Sequence, residues 1–336
     1  MSPRLPHARG PLSAALLTQL RGPVGATAPD VASRLPIVDA TEDDFQLALY
    51  VCYELHYRGF AEVDEDWEWE PSLLALRGRL EDRFVRDLVG TVGRPTLVTP
   101  TSVGPALRKL IDRFDGPSLS TWMEQHGDID AMREFAIHRS AYQRKEADPH
   151  TWAIPRLDGT AKAALITIQA DEYGGGSLAA MHSELFTTTM RTLGLDPTYG
   201  AYLDRLPGVT LATVNLVSLF GLHRRWRGAL IGHLAVFEMC SVVPMSRYAN
   251  ALRRLGLGDE AAGFYDVHVE ADAVHEVIAS TDLAMGFAEA EPARAGDVLF
   301  GARALMAIED RLARHLLAGW QHHRSTLLPI RASRAA

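Results

Sequence analysis

The chain has 336 residues, 47% of them hydrophobic, and a formal charge of −8 from 34 Lys and Arg against 42 Asp and Glu. That length suits two average domains or one large helical one, and the negative balance argues against a nucleic-acid partner, which needs clustered positive charge. Only Cys52 and Cys240 are present, so a disulfide framework or a thiolate zinc site is excluded and a reducing cytoplasm is expected.

Residues 1–40 are rich in Pro, Gly and Ala and are expected to form a flexible tail. Their apolar stretch is too short and broken for a signal peptide. Thr41 with Asp44 has the form of a capping box ahead of the helical run FQLALYVCYELHY. The acidic connector EVDEDWEWE (62–70) leads to Pro71, which opens PSLLALRGRLEDRFVRDLV. PALRKLIDRF (105–114) makes a third helix. Residues 41–127 therefore read as an accessory helical region packed on a core spanning 128–320.

Within the core, apolar spacing predicts helices over 129–147, 159–172, 178–194, 208–221, 225–243, 246–255, 260–280 and 294–318. Pro149 and Pro155 separate the first two, and Gly174, Gly175 and Gly176 the next two. Pro244 breaks or kinks the run around Glu238. Residues 206–222 are apolar but broken by Pro207, Gly208 and Gly221, and no run reaches the roughly 20 residues of a membrane span. No strand pattern, repeat or phosphate loop stands out. Residues 321–336 read as a basic tail. The fold class is all-α.

In FYDVHVEADAVHE, His268, Asp272 and His275 recur at i, i+4 and i+7, along one helical stripe. That stripe is either a solvated face or the wall of a metal-filled interior. In IQADEYGGGSLAAMHSELF, Glu172 ends one helix and His182 begins near the next, with Asp171, Tyr173 and Glu184 as competitors. The glycines between them permit a close turn. Glu238 lies among Leu234, Ala235, Val236, Phe237, Met239 and Cys240. A carboxylate there is costly to bury unless it is paired, with Arg227 or Tyr248 for instance, or binds a metal. In EFAIHRSAYQRKEADPH, periodicity does not choose between Glu134 and Glu146. Carboxylates mixed with imidazoles suit iron or manganese.

The stretches HRSAYQRKEADPH, IQADEYGGGSLAAMHSELF, NLVSLFGLHRRWRGALIGHLAVFEMCS and FYDVHVEADAVHE resemble the haem-oxygenase-like diiron oxidase and oxygenase superfamily, also described as iron-containing redox enzymes. The resemblance spans about 138–276. It rests on acids and imidazoles in order at 146, 172, 182, 238, 268 and 272, and it selects Glu146 over Glu134.

The resemblance implies a haem-oxygenase-like helical bundle with additional N-terminal helices. It implies two Fe(II)/Fe(III) ions, with Glu146, Glu172 and His182 largely on one and Glu238, His268 and Asp272 largely on the other. O2 is then a co-substrate and an external electron donor, such as a reductase, is compatible. The expected activity is N-oxygenation or C–H oxidation of a small amine, amino-acid-derived or fatty-acid-like substrate. Tyr142, Tyr173 and His275 are catalytic candidates beside the metal, and Arg139 is a candidate to support the ligands. His275 stands as an extra ligand, a supporting donor or a proton relay. Arg224, Arg225 and Arg227 are expected in surface salt bridges, the alternative being contact with an acidic substrate group, and Tyr265 is expected in core packing. A homodimer fits relatives that carry accessory helices. The alternatives are a non-catalytic iron-binding protein and a metal-free helical scaffold in which Glu238 pairs with Arg.

Overall fold

The computed structural model describes residues 2–25 and 37–330. Every regular element among them is helical, as expected. The first helix, α1 (Pro11–Leu20), corrects the expected tail: Leu12, Leu16, Leu17 and Leu20 are buried at helical spacing. Asp44 holds its start, accepting from the N–H groups of Leu12 at 3.0 Å and Ser13 at 2.8 Å. The order of this segment comes from a carboxylate 32 residues away, which local composition does not reveal. Residues 26–36 of the expected tail lie outside the described residues.

Helix α2 (Glu42–Glu54) starts at Thr41, whose hydroxyl accepts from the Asp44 N–H. The box is one-sided because the Asp44 carboxylate is committed to α1. Helix α3 (Pro71–Val92) is capped by Glu70, which accepts from the Ser72 and Leu73 N–H groups. Helix α4 (Val103–Asp112) follows, then α5 (Leu119–His126), too short to show a clear period in the sequence.

The core comprises α6 (Ile129–Gln143), α7 (Gly159–Glu172), α8 (His182–Thr192), α9 (Gly208–Leu222), α10 (Arg227–Cys240), α11 (Val242–Arg254), α12 (Gly258–Val277) and α13 (Ala295–Trp320). Helix α9 is buried on every face from Thr210 to Gly221, as an all-round apolar helix must be. It packs between α2 and α13. Helix α3 also packs on α13, so the accessory helices lie directly on the core.

Helices α10 and α13 approach closely through Gly232 and Gly301. A methyl group at Gly232 would overlap the Val298 carbonyl, and one at Gly301 the Ala229 carbonyl. This crossing fixes the helix that carries Glu238. Helix α10 ends at Cys240, and α11 leaves at 54°. Pro244 is the third residue of α11, where its missing N–H costs no helical bond. No single helix among the described residues is long and apolar enough to cross a membrane.

The expected C-terminal tail is also corrected as far as residue 330. Thr326 is buried, and its N–H and hydroxyl donate to Glu134 at 3.0 and 2.8 Å. Residues 331–336 lie outside the described residues.

Candidate metal centre

Asp128 caps α6 by accepting from the Ala131 N–H at 2.8 Å. The helix stops at Gln143, short of the expected residue 147, because the chain turns ahead of Pro149. Lys145 in that turn is drawn to Glu54 on α2, at 2.6 Å. Glu146 enters the core from the same turn, and the Gln143 amide, oriented so that its nitrogen faces the carboxylate, donates to both Glu146 oxygens at 2.8 Å. Glu134 is excluded from the site: its carboxylate takes Trp320 Nε1 and Thr326.

Glu172 is the last residue of α7. Gly174, Gly175 and Gly176 follow with φ of 62°, 58° and 85°, a region that favours glycine. A side chain at Gly174 would also meet the backbone of Ala180 and Met181. The chain thus folds back through two short 3-10 turns rather than the helix expected from 178, and His182 opens α8. His182 Nδ1 comes to 3.0 Å from Glu172 Oε2.

Glu238 is buried on α10, facing His275 Nδ1 at 3.1 Å. Arg227 is not its partner, being paired with Glu291. Helix α12 is inverted: His268, Asp272 and His275 are buried, while Val274 and Val277 are 61% and 62% exposed. The solvated-face reading of this stripe fails. The helix continues into a π-helical segment over 278–285, a wider turn that periodicity did not show and that recurs at functional sites.

Two groups result. Glu146, Glu172, His182 and His268 each offer an atom within 4.8 Å of the others, and so do Glu172, Glu238 and His275. Glu172 belongs to both. His268 therefore groups with Glu146 and His182, not with Glu238 and Asp272 as expected. The reason is helical rise: seven residues of α12 span about 10 Å, so the stripe reaches one group at His268 and the other at His275. Asp272 lies between them without joining either group. It accepts from Ser241 Oγ at 2.5 Å and lies 3.6 Å from His275 Nδ1.

The unused atoms share this locus. Glu172 Oε2, His182 Nδ1 and His268 Nε2 are buried without hydrogen-bond partners. His268 Nδ1–H donates to the Phe264 carbonyl at 2.8 Å, and its Nε2 lies 3.6 Å from Glu146 Oε2. Orphaned buried polar atoms cost about 1–3 kcal/mol each, and a cation coordinated by them would remove that cost. His275 Nε2–H donates to Asp171 at 2.9 Å, the carboxylate–imidazole arrangement that orients metal ligands.

Burial pushes Glu238 up to about 8 and lifts Glu146. Burial alone would lower His268, but Glu146, Glu172 and Asp272 hold it up at about 10. Burial likewise opposes charge on His275, and Asp272, Glu238 and Asp171 outweigh it to hold the ring up at about 11. Four carboxylates in one interior, Glu146, Glu172, Glu238 and Asp272, match the charge of two divalent ions. Oxygen and imidazole donors without thiolate fit iron.

A family model for iron-containing redox enzymes matches residues 133–310, just over half of the chain. The chain belongs to the iron-containing redox enzyme family. No curated protein matches it significantly. The span shared with the iron-containing redox enzymes contains both groups of candidate ligands. Membership and the two His/Glu groups together suggest a diiron-binding redox enzyme.

A pocket of about 30 Å³ between the candidate ligands shares a wall with a cavity of about 420 Å³. Tyr142 lines both, and burial raises its pKa, so its hydroxyl stays protonated. Tyr173 is placed elsewhere: its hydroxyl meets Asp148 and Thr151, each at 2.9 Å, outside the lining of either space. A helix-end residue turns away at the glycines that follow, which is why its neighbour Glu172 points in and Tyr173 does not. Arg139 forms a two-bond ion pair with Glu309 in the cavity wall. Tyr265, expected as plain packing, lines the cavity with an unpartnered hydroxyl.

Three supporting residues were missed. Gln143, three residues before Glu146, was within reach of helical spacing. Ser241 and His150, which line the small pocket, carry no sequence signal that marks them.

Proposed function

We propose that the protein is an O2-dependent non-haem diiron oxidase or oxygenase. The observation that carries this is the convergence of three buried atoms that make no hydrogen bond, Glu172 Oε2, His182 Nδ1 and His268 Nε2, in one group of potential ligands. Glu146, Glu172, His182 and His268 would hold one iron, and Glu172, Glu238 and His275 the other, with Asp272 beside the second. Bound there, the iron pair supplies O2 activation for N-oxygenation or C–H oxidation of a small amine, amino-acid-derived or fatty-acid-like substrate.

The protein's own part is orientation and exclusion of water. Phe264 fixes the tautomer of His268, and Asp171 holds the proton on His275 Nε2. Gln143 holds Glu146 at the boundary between the small pocket and the cavity. Tyr142 offers a protonated hydroxyl at the same boundary. The apolar wall around them keeps water from the reacting groups. An external electron donor, a homodimeric state and a cytoplasmic setting belong to the same proposal. They rest on the family resemblance and on two unpaired cysteines.

Anaerobic loading with Fe(II), iron counting and rapid mixing with O2 test this reading. Uptake of about two irons per chain and a transient O2-dependent absorption support it. Iron uptake with no O2 reaction, with or without candidate substrates, points to a non-catalytic iron protein. No uptake overturns the assignment and favours a helical scaffold.

A further inference from the structure

Resting on that reading of the centre, we propose that the cavity takes a cationic amphiphile, with an ammonium group at Asp310 and an apolar body reaching toward Glu146. The cavity, at about 420 Å³, has the size of a small-molecule site. It meets the metal pocket along Tyr142, Glu146, Phe237, Ser241 and Met245, which line both. Its body is apolar, walled by the buried side chains of Phe135, Phe186, Val236 and Leu305.

The polar groups gather at the other end. Arg139 lies on α6, whereas Glu146 lies in the turn beyond its end. Its guanidinium is fully engaged by Glu309, at 2.9 and 2.6 Å, so this pair is closed and neutral. The next residue, Asp310, is ion-paired with Arg314 through one oxygen only. Its Oδ2 accepts from Arg314 Nε at 2.8 Å, but Oδ1 is buried with no hydrogen-bond partner. Asp310 also lines a more open surface groove beside Arg303 and Arg314, which places it at the outer end of the cavity.

A second polar atom waits in the wall. Tyr265 is 2% exposed, lines the cavity, and its hydroxyl has no partner. An acceptor at one end and a free hydroxyl part-way along fit a ligand with a cationic donor and a hydrogen-bonding group on its body. A carboxylate ligand brings no donor to Asp310 Oδ1, and Arg139 is already taken by Glu309. A plain hydrocarbon would leave both atoms unpartnered. With the ammonium anchored away from Glu146, the position that meets the centre lies along the body, so the anchoring nitrogen is not the atom oxidised.

Octylamine, octan-1-ol and octanoate share one chain and differ only in head group. Their binding to the iron-loaded protein without O2, measured by calorimetry, tests the proposal. Octylamine is expected to bind at least tenfold tighter than octanoate, and Asp310→Asn to bring octylamine to the level of octanol. Octanoate binding as tightly as octylamine, or an amine preference that survives Asp310→Asn, would overturn it. Iron is counted on the same samples. Normal iron content with no amine preference defeats this proposal alone. Failure to take up iron defeats the proposed function, while the head-group comparison still reads out on the metal-free protein.

Discussion

Lys145 and Glu54 form an ion pair of 2.6 Å with both side chains buried, and the next residue in the chain is Glu146. The Lys145 ammonium also lies 3.9 Å from the centre of the Tyr57 ring, and Tyr199 donates to Glu54 at 2.7 Å. The accessory helix α2 therefore clamps the turn that presents Glu146, a candidate ligand. Lys145→Met should cost about 3–5 kcal/mol, because it strands a buried charge. The double variant Lys145→Met/Glu54→Gln should recover most of that. Denaturant unfolding checks both. A cost for Lys145→Met under about 1 kcal/mol, the range of exposed pairs, would contradict a clamp.

The crossing of α10 and α13 gives a second prediction. Gly232→Ala forces a methyl against the Val298 backbone and should destabilise by about 1–3 kcal/mol or more. Gly78→Ala in α3 meets nothing within 4 Å and should instead stabilise by roughly 0.5–1 kcal/mol. Equal effects at the two sites would mean that the crossing is not tight.

These contrasts show what the sequence makes legible. The core helices are set by apolar periodicity, so most appear within a few residues of where spacing puts them. Glu238 was readable because a lone acid in an apolar run demands an explanation. His268, Asp272 and His275 were readable as a stripe, but spacing gave no depth along the axis. The division between the two ligand groups, and the place of His275 in the second, needed the third dimension. Helix α1 stayed hidden because Asp44, from outside the segment, caps it. Tyr173 and Glu172 are neighbours in sequence, and only the fold separates their directions.

His138, hydrogen-bonded to Thr210 and Thr326, gives a pH dependence of its own. Burial, then the charges of His315, Arg139 and Arg205, push it down to about 3. In the unfolded chain it titrates near its ordinary value of about 6.5. Below that pH the unfolded chain binds a proton that the folded protein refuses. Stability should therefore fall as pH drops from about 6.5 toward 3, by on the order of 3 kcal/mol at pH 4 from this group. Denaturant unfolding of His138→Gln between pH 7 and 4 should show a shallower loss than the wild type. An identical slope would contradict the assignment.

Asp171 is half in solvent, yet it accepts from His275 Nε2 at 2.9 Å. Asp171→Asn should leave folding intact and weaken Fe(II) binding about 10–100-fold, the usual effect of removing such a support. Equilibrium Fe(II) titration reads this directly. Unchanged affinity would mean that His275 is not a ligand.

The most direct measurement counts tightly bound iron per chain in the wild type, Glu238→Ala and Glu172→Ala, each checked for folding by circular dichroism. The ligand geometry, with Glu172 common to both groups, predicts about two, about one and close to none. Two irons retained in Glu172→Ala, or none taken up by the wild type, would contradict the shared centre.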